Sequence, residues 1–488
     1  MNMRRLATLC SCLILSATCY ARQDVAADAS RLELQGQFKE AAAVLTTDLQ
    51  DQALPAVERK KLEFELDRLK RIKQDFPLTK ESLFTDLKES VRSLTAEEYE
   101  QWLREGRFDF RDIDGTRYFM GDSVSNLYWR YPELDARRTR PKNTAALEKA
   151  RMESIHSIKE AASAGKMPYV LPKRFHVTMT VNSMANAAPA GEVIRAWIPI
   201  PRQYPFQGEF ELGATSSPVK NLDDAQSPIR SVYLEQQTQA GKPTRFEVEY
   251  DYTAHAVWFD VKPADVRACD PNDLPLQQFT CEGPHVVFTP ELRRLSREIV
   301  GDETNPYWKA KKCYNWIAGH IKYSHAIEYS TIRNISDYCR SKGYGDCGQE
   351  ALLFIALCRL NGVPARWQSG WNTFPGYRSY HDWSEIYLAP YGWMPVDPYM
   401  GMWAMHYANT LTPEQKRELR DFYFCGLDQY RMSANSDHCQ ALRPPKRTMR
   451  SDDVDFQRGE LEWRDKNIYF DRFSYSLTLR EVKPASTK

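Results

Sequence analysis

The sequence has no excess of either charge. Its 66 Lys and Arg residues nearly cancel 65 Asp and Glu residues, which leaves a formal net charge of +1. Proteins that bind nucleic acid use clustered positive charge against the phosphates, so nucleic acid is not an expected partner. Paired Cys-x-x-Cys motifs are also missing, and His438-Cys439 is the best fragment of a zinc site. We therefore expect no metal and no cofactor.

Long apolar runs are equally scarce, and after the N-terminus none approaches a membrane span. Arg4-Arg5 precedes an apolar stretch from Leu6 to Thr18, shorter than the ~20 residues that cross a bilayer. This pattern is typical of a secretory signal peptide over residues 1–21, cleaved after Ala21. The alternatives are a lipid anchor on Cys19 and a buried N-terminal helix. The protein is expected to be exported, as a periplasmic, cell-surface or secreted protein without a transmembrane segment.

Export would permit disulfide bonds among the cysteines that remain after the leader. Three of the 11 cysteines precede the cleavage site, which leaves eight. Cys269 and Cys281 bracket a loop rich in Pro and Asp, and Cys425 and Cys439 bracket another polar stretch. Spacing predicts a local disulfide in each case, with Cys347 left as a free thiol.

A chain of 488 residues exceeds what one hydrophobic core usually serves, so roughly three domains are expected. Residues 22–166 are charged and carry apolar residues at helical spacing, which predicts a helical region. Within it, Asp114-Gly115 interrupts an alternating segment, which indicates a small β-hairpin. A helix followed by a hairpin could resemble a winged-helix DNA reader, but the neutral charge favours a packing or protein-contact module.

Residues 170–265 are rich in β-forming residues. Phe246, Val248, Tyr250 and Tyr252 alternate with polar residues, the pattern of a strand with one buried face. This segment predicts an antiparallel β-sandwich without catalytic groups. Residues 411–488 form a C-terminal extension, with a helix over 413–424 and a terminal strand over 466–480. The fold class is therefore multidomain α+β.

Residues 285–410 contain the stretch with the clearest chemistry. Glycines at 343 and 345 lead into a helix that begins at about Cys347 and ends before Gly362. A cysteine in the first turn lies at the positive end of the helix dipole, which favours the thiolate. Cys358, on the same helix, lacks that field and is expected to be an inert core residue.

A second stretch predicts a β-hairpin that ends at a carboxylate. One strand begins near His381, the chain turns at residues 390–392, and the returning strand ends at Asp397. Such a hairpin can place His381 beside Asp397. A thiol nucleophile needs an imidazole base, and the imidazole needs a carboxylate to fix its tautomer. The sequence therefore predicts a catalytic triad with Cys347 as nucleophile, His381 as base and Asp397 as orienting carboxylate.

These motifs together resemble the core of the transglutaminase-like superfamily. The resemblance rests on Gly-Asp-Cys347, Gly362-Val-Pro-Ala-Arg366, His381-x-Trp383-x-Glu385 and Gly392-Trp393-x-Pro-Val-Asp397, and covers about 289–401. It implies a papain-like, transglutaminase-type catalytic core over 285–410, with all three family positions occupied. One departure is Asp382 beside His381. Because neighbours on a strand point to opposite faces, we expect Asp382 to point away from the site.

The resemblance implies acyl transfer by a thiolate–imidazolium pair through a thioester. The acyl donor would be a peptide, a protein or another amide-containing substrate. Exported members of the superfamily are often peptidase-like, so hydrolysis by a peptidase or amidase is the expected outcome. The alternatives are cross-linking by a protein-glutamine γ-glutamyltransferase, and a non-catalytic module on the same fold that binds peptide or glycan.

Overall fold

The computed structural model describes residues 25–270 and 273–482. The expected signal peptide, with Cys19, lies outside these residues. The chain divides into two compact units, Met1–Pro141 and Lys142–Lys488. Among the described helices, none combines the length and the apolar character needed to cross a bilayer.

The first unit is mainly helical, as the sequence predicts. Its helices are α1 (25–34), α2 (Phe38–Leu49), α3 (Ala56–Asp75), α4 (Lys80–Ser90), α5 (Ala96–Arg104) and α6 (Ser123–Arg130). Strands β1 (Phe110–Ile113) and β2 (Thr116–Phe119) pair as an antiparallel hairpin. Asp114 and Gly115 form its turn with φ of 50° and 84°, a conformation that Asp and Gly tolerate well. The predicted Asp-Gly hairpin is therefore confirmed.

In the second unit, helices alternate with groups of strands along the sequence. They are α7 (Ala145–Gly165), α8 (Leu274–Gln277), α9 (Pro290–Val300), α10 (Pro306–His320), α11 (Ile335–Lys342), α12 (Cys347–Leu360), α13 (Pro398–Tyr407) and α14 (Pro413–Phe422). The side chains of Thr289 and Asn305 cap α9 and α10, and proline occupies the first position of each helix.

The strands of the second unit form several sheets. They are β3 (Tyr169–Ser183), β4 (Val193–Pro199), β5 (Gln207–Thr215), β6 (Asn221–Leu222), β7 (Ser231–Gln237), β8 (Arg245–Trp258), β9 (Lys322–Tyr323), β10 (Tyr344–Gly345), β11 (Ala365–Asn372), β12 (Ser379–Leu388), β13 (Gly392–Val396), β14 (Gly426–Leu427), β15 (Arg431–Asn435), β16 (Glu460–Trp463), β17 (Lys466–Ile468) and β18 (Phe473–Val482). Strands β9 and β10 form a short parallel pair, and the longer strands form three antiparallel sheets.

Two five-stranded sheets share one hydrophobic core. The first has the order β14-β8-β3-β18 with β5 also on β8, and the second has the order β17-β16-β4-β7-β6. Val177 and Val248 from the first sheet meet Ile198 and Leu234 from the second in this core. The alternating residues of β8 are all fully buried, as its sequence pattern predicts.

The C-terminal strands complete these two sheets. Strand β18 pairs with β3 along ten residues, and β16 pairs with β4. Two sheets that the sequence places in residues 170–265 therefore take strands from residues 426–482 as well. Helix α7 contacts β3 and β8, so it belongs to this unit and not to the first. The predicted domain boundaries stay predictions.

A four-stranded sheet of order β13-β12-β11-β15 carries helix α12. Helix α12 lies against β11 and β12, and α10 and α13 contact it as well. In the register of this sheet, Gly370 of β11 pairs with His381 of β12, and Asn372 pairs with Arg431 of β15. A Cβ at Gly370 would lie 1.8 Å from the Met432 carbonyl oxygen. The glycine therefore allows β15 to approach the part of the sheet that carries His381.

Candidate active site

Helix α12 begins at Cys347 because Asp346 caps it. The Asp346 side chain accepts a hydrogen bond from the Gln349 backbone N–H at 3.1 Å, and the Gln349 side chain accepts one from the Asp346 N–H at 3.3 Å. This reciprocal pair is a capping box, which fixes the first turn. The Tyr329 hydroxyl also donates to Asp346 at 2.6 Å. The predicted position of Cys347 in the first turn is confirmed.

The environment of Cys347 opposes formation of a thiolate. The residue is 8% exposed. Burial, followed by the negative charges of Asp382 and Asp346, raises the pKa of the Cys347 thiol well above its ordinary value. The helix dipole was expected to have the opposite effect. Dehydration and two nearby carboxyl groups outweigh a partial charge at a helix end, so the expectation of a resting thiolate is wrong.

His381 and Asp397 form a buried hydrogen-bonded pair. Strands β12 and β13 make the predicted hairpin, and Val396 at the end of β13 pairs with Ser384. His381 Nε2 lies 2.8 Å from Asp397 Oδ2, with side-chain exposures of 2% and 0%. Asp397 also caps α13, since its Oδ1 accepts from the Met400 N–H at 3.0 Å. The hairpin therefore brings together two of the three predicted site residues.

Arg431 is a charged neighbour of this pair that the sequence did not indicate. Its guanidinium forms ion pairs with Asp397 at 2.9 Å and with Asp428 at 3.4 Å, and the residue is 1% exposed. It comes from β15, more than thirty residues after Asp397. A lone Arg at that distance along the chain carries no pattern that sequence reasoning could use. The C-terminal extension thus contributes a buried cation to the candidate site.

The protonation of the pair follows from its surroundings. Burial opposes ionisation of Asp397, but the charges of His381 and Arg431 and the hydrogen bonds to the carboxylate lower its pKa to about 2. Burial also lowers the pKa of His381, although Asp397 acts in the other direction. The pair is therefore a carboxylate and a neutral imidazole at neutral pH. With Nε2 bonded to Asp397, the other ring nitrogen is left to act as the base.

Asp382 does not point away from Cys347, which corrects the expectation from strand alternation. Cys347 Sγ donates a hydrogen bond to Asp382 Oδ2 at 3.4 Å. Strand alternation does not say which residues of β12 the start of α12 meets, and the first residue of that helix lies against the Asp382 carboxyl. Throughout residues 25–270 and 273–482, Cys347 makes no hydrogen bond to His381.

The two predicted disulfides are not formed. All eight cysteines in the described part of the chain are free thiols. The Cys425 N–H donates to the carbonyl oxygen of Pro395 in β13, whereas the Cys439 N–H donates to that of Val454. Cys269 lies at Ala389 in the β12–β13 turn, whereas the Cys281 carbonyl accepts from Arg359. Closeness in sequence did not bring either pair together. Across the same residues, no group of three or more His, Cys, Asp or Glu could hold a metal ion.

The buried Asp397 is expected to stabilise the protein in a pH-dependent way. Its pKa of about 2, below the ordinary 3.8, corresponds to roughly 2.5 kcal/mol at neutral pH. Because the folded-state pKa is the lower one, the unfolded chain takes up the proton first as the pH falls. This stabilisation is complete above about pH 5, falls to roughly half by pH 3 and disappears below pH 2.

The measurement is urea unfolding of the wild-type protein and of Asp397→Asn at pH 6 and at pH 3. The difference in free energy of unfolding between the two proteins should be smaller at pH 3. Asp260→Asn is the control, since Asp260 is 71% exposed and pairs with an exposed Lys262. A difference for Asp397→Asn that is equal at both pH values would contradict the low pKa.

Residues 293–398 match the sequence profile of the transglutaminase-like superfamily. A relative from Haemophilus influenzae, described as an uncharacterized protein, is 23% identical over 164 residues, which are 28% of this chain and 44% of the relative. The chain therefore spans less than half the length of that relative.

Two solved structures give further comparisons. A candidate cysteine protease from Cytophaga hutchinsonii has 15% identity and a TM-score of 0.41, over 65% of this chain and 94% of that one. The periplasmic domain of TgpA from Pseudomonas aeruginosa has 15% identity and a TM-score of 0.25, over 54% of this chain and 95% of that one. The profile match covers Cys347, His381 and Asp397 and confirms the resemblance read from the motifs. By this match, residues 293–398 form a transglutaminase-like domain.

Proposed function

We propose that the protein is a thiol-dependent acyl-transfer enzyme in which Cys347 is the nucleophile, His381 the base and Asp397 the orienting carboxylate. The observation that carries the proposal is the 2.8 Å contact between His381 Nε2 and Asp397 Oδ2 in a transglutaminase-like domain. An imidazole fixed by a buried carboxylate has a defined tautomer and a defined free nitrogen. The same domain begins its central helix with a cysteine.

The reaction would start from neutral groups. The raised pKa of Cys347 and the lowered pKa of His381 both favour a thiol and a neutral imidazole at rest. Cys347 would therefore lose its proton to His381 as it attacks the acyl carbon, and not beforehand. The imidazolium formed in this step would be stabilised by Asp397, which is ionised over the whole physiological range. His381 would then protonate the leaving amine, and a thioester on Cys347 would remain.

The start of α12 offers donors for the developing oxyanion. Asp346 accepts from the N–H of Gln349, the third residue of the helix. The N–H groups of Cys347 and Gly348 precede it and have no carbonyl four residues back within the helix. Such groups aim at a negative charge placed at the helix N-terminus. We infer that these two N–H groups stabilise the tetrahedral intermediate.

The thioester can pass its acyl group to water or to an amine. We propose water, so that the enzyme is a peptidase or amidase acting on peptides, proteins or other amide-containing substrates. The three catalytic groups are the same for transfer to an amine, and the acceptor decides the outcome. The test is a digest of a peptide library, followed by mass spectrometry, with and without an added primary amine. Cleaved peptides in both samples support a hydrolase, whereas amine adducts at glutamine would identify a cross-linking transferase.

One observation favours a second candidate, a non-catalytic module that binds peptide or glycan. The thiol is bonded to Asp382 and not to His381, and both Cys347 and Asp382 are buried. In the same digest, such a module would give neither cleavage nor adducts, and Cys347→Ala would match the wild-type protein. Any product that requires Cys347 rules this candidate out.

A further inference from the structure

The contact between Cys347 and Asp382 depends on the residue that follows Cys347. Cys347 Sγ donates to Asp382 Oδ2 at 3.4 Å, and the residue after Cys347 makes room for this carboxyl. A Cβ at Gly348 would lie 2.6 Å from Asp382 Oδ2 and 2.2 Å from the Tyr329 hydroxyl. Any larger residue at Gly348 would therefore displace the carboxyl from the start of α12. Glycine at this position keeps Asp382 beside the thiol.

The C-terminal extension holds Asp382 in place. Gln457 donates from its side-chain amide to Asp382 Oδ1 and, at 2.9 Å, to the His381 carbonyl oxygen. Asp455 lies on the other side of Asp382 and shares a hydrogen bond with it. The Ser369 hydroxyl donates to Asp455, and so does the Asn435 amide at 3.2 Å. Two buried carboxyl groups in contact cannot both ionise readily, because the negative charge of one raises the pKa of the other.

We propose that Asp382 is a positioning residue for Cys347, whose carboxyl holds the thiol protonated and turned away from His381 in the resting protein. The proposal rests on the proposed function, in which Cys347 must give its proton to His381. The reaction would then require the thiol to leave Asp382 first. A nucleophile held in this way reacts only after a rearrangement at the start of α12, which protects it from non-specific acylation and oxidation.

The groups around the thiol support this direction. Its nearest charges are the carboxyl groups of Asp382 and Asp346. Tyrosine side chains from several elements also interact electrostatically with it: Tyr323, Tyr329, Tyr377, Tyr380 and Tyr399. Behind Asp382 lie Asp455 and then Asp452, and Arg458 pairs with Asp452 and Glu328. Negative charge next to sulfur disfavours the thiolate, and it increases as the Asp382–Asp455 pair ionises.

The experiment is the rate of alkylation of Cys347 by iodoacetamide as a function of pH, in full-length wild-type protein and in Asp382→Asn. Asn has the same shape and can keep the hydrogen bond from Gln457, but it carries no charge. Trypsin releases Cys347 and Cys358 on one peptide, residues 343–359, so both proteins also carry Cys358→Ala. We expect the alkylation profile of Asp382→Asn to move to lower pH, with a rate at neutral pH at least ~10-fold above wild type.

Asp455→Asn is the matched comparison, because it removes a charge from the same pair but leaves the carboxyl that contacts sulfur. Without the like charge of Asp455, Asp382 ionises at lower pH and holds the thiol proton more firmly. Alkylation of this variant at neutral pH should be no faster than in wild type. Opposite behaviour of the two variants is the specific expectation, since simple loosening of the site would accelerate both.

Three results would overturn the inference. The first two are an alkylation profile of Asp382→Asn that is unchanged and one that moves to higher pH. The third is a rate that increases by the same factor at every pH, because this would show easier access of iodoacetamide to Cys347 and no change in the pKa of its thiol. None of these results depends on a substrate, because alkylation is read directly at Cys347. Failure of the proposed function would instead appear as activity that survives Cys347→Ala. The two failures are therefore distinguishable.

Discussion

Replacing Cys347 with alanine is expected to reduce acyl-transfer activity to background. The change removes the sulfur that would form the thioester, and no neighbouring thiol can take its place. Cys358 is about three turns further along α12 and is fully buried, and burial raises the pKa of its thiol well above the ordinary value. The measurement is the initial rate on a peptide that the library digest shows to be cleaved by the wild-type protein.

Cys358→Ala is the matched control for this prediction. It removes the same group from the same helix, and the lost burial should lower stability without touching the reacting atoms. Comparable melting temperatures of the two variants would show that the loss in Cys347→Ala is not a loss of fold. If Cys347→Ala kept the wild-type rate, the proposed enzyme would not exist as described.

Local sequence patterns were sufficient for the elements that carry the site. The position of Cys347 depends on residues within one turn of it, mainly Asp346 and Gln349, so the start of α12 could be predicted. The hairpin that ends at Asp397 depends on a turn at residues 389–391 and on alternation in two short strands. Each of these features is decided by neighbours in sequence.

The charges around the site could not be predicted because they come from distant segments. Arg431, Asp455 and Gln457 belong to the C-terminal extension, for which the sequence predicted a helix and a terminal strand and no role at the site. The contact of Arg431 depends on how β15 pairs with β11, and those of Asp455 and Gln457 depend on where the chain between β15 and β16 packs. The direction of the Cys347 pKa shift was wrong for the same reason, because burial was not part of the sequence argument.

The position of Asp382 shows what the alternation of side chains along a strand cannot predict. Alternation along β12 led to the expectation that Asp382 points away from the site, but it does not say which residues of the strand meet the start of α12. That depends on the packing of α12 against β11 and β12, in which the Trp367 ring and the Asp382 carboxyl both lie close to Gly348. The proposed nucleophile therefore contacts the residue next to the proposed base.

Replacing His381 with alanine is expected to lower kcat/KM by ~10³-fold or more, because the resting thiol is neutral and the variant lacks the imidazole that takes its proton and passes it to the leaving amine. Asp397 remains paired with Arg431, so the variant should keep its fold. Without the imidazole, hydroxide from solvent must remove the proton, and the residual rate should rise with pH where the wild-type rate levels off.

His176→Ala is the matched control for that change. His176 Nδ1 lies 2.7 Å from Asp251 Oδ1 on the neighbouring strands β3 and β8, so the variant removes a His–Asp pair of the same kind outside the candidate site. Its kcat/KM and pH profile should stay close to those of the wild-type protein. Equal losses in the two variants would mean that His–Asp pairs support the fold in general, and His381 would then have no special role as the base. A large loss confined to His381→Ala, with a residual rate that increases with pH, is the result that identifies the base.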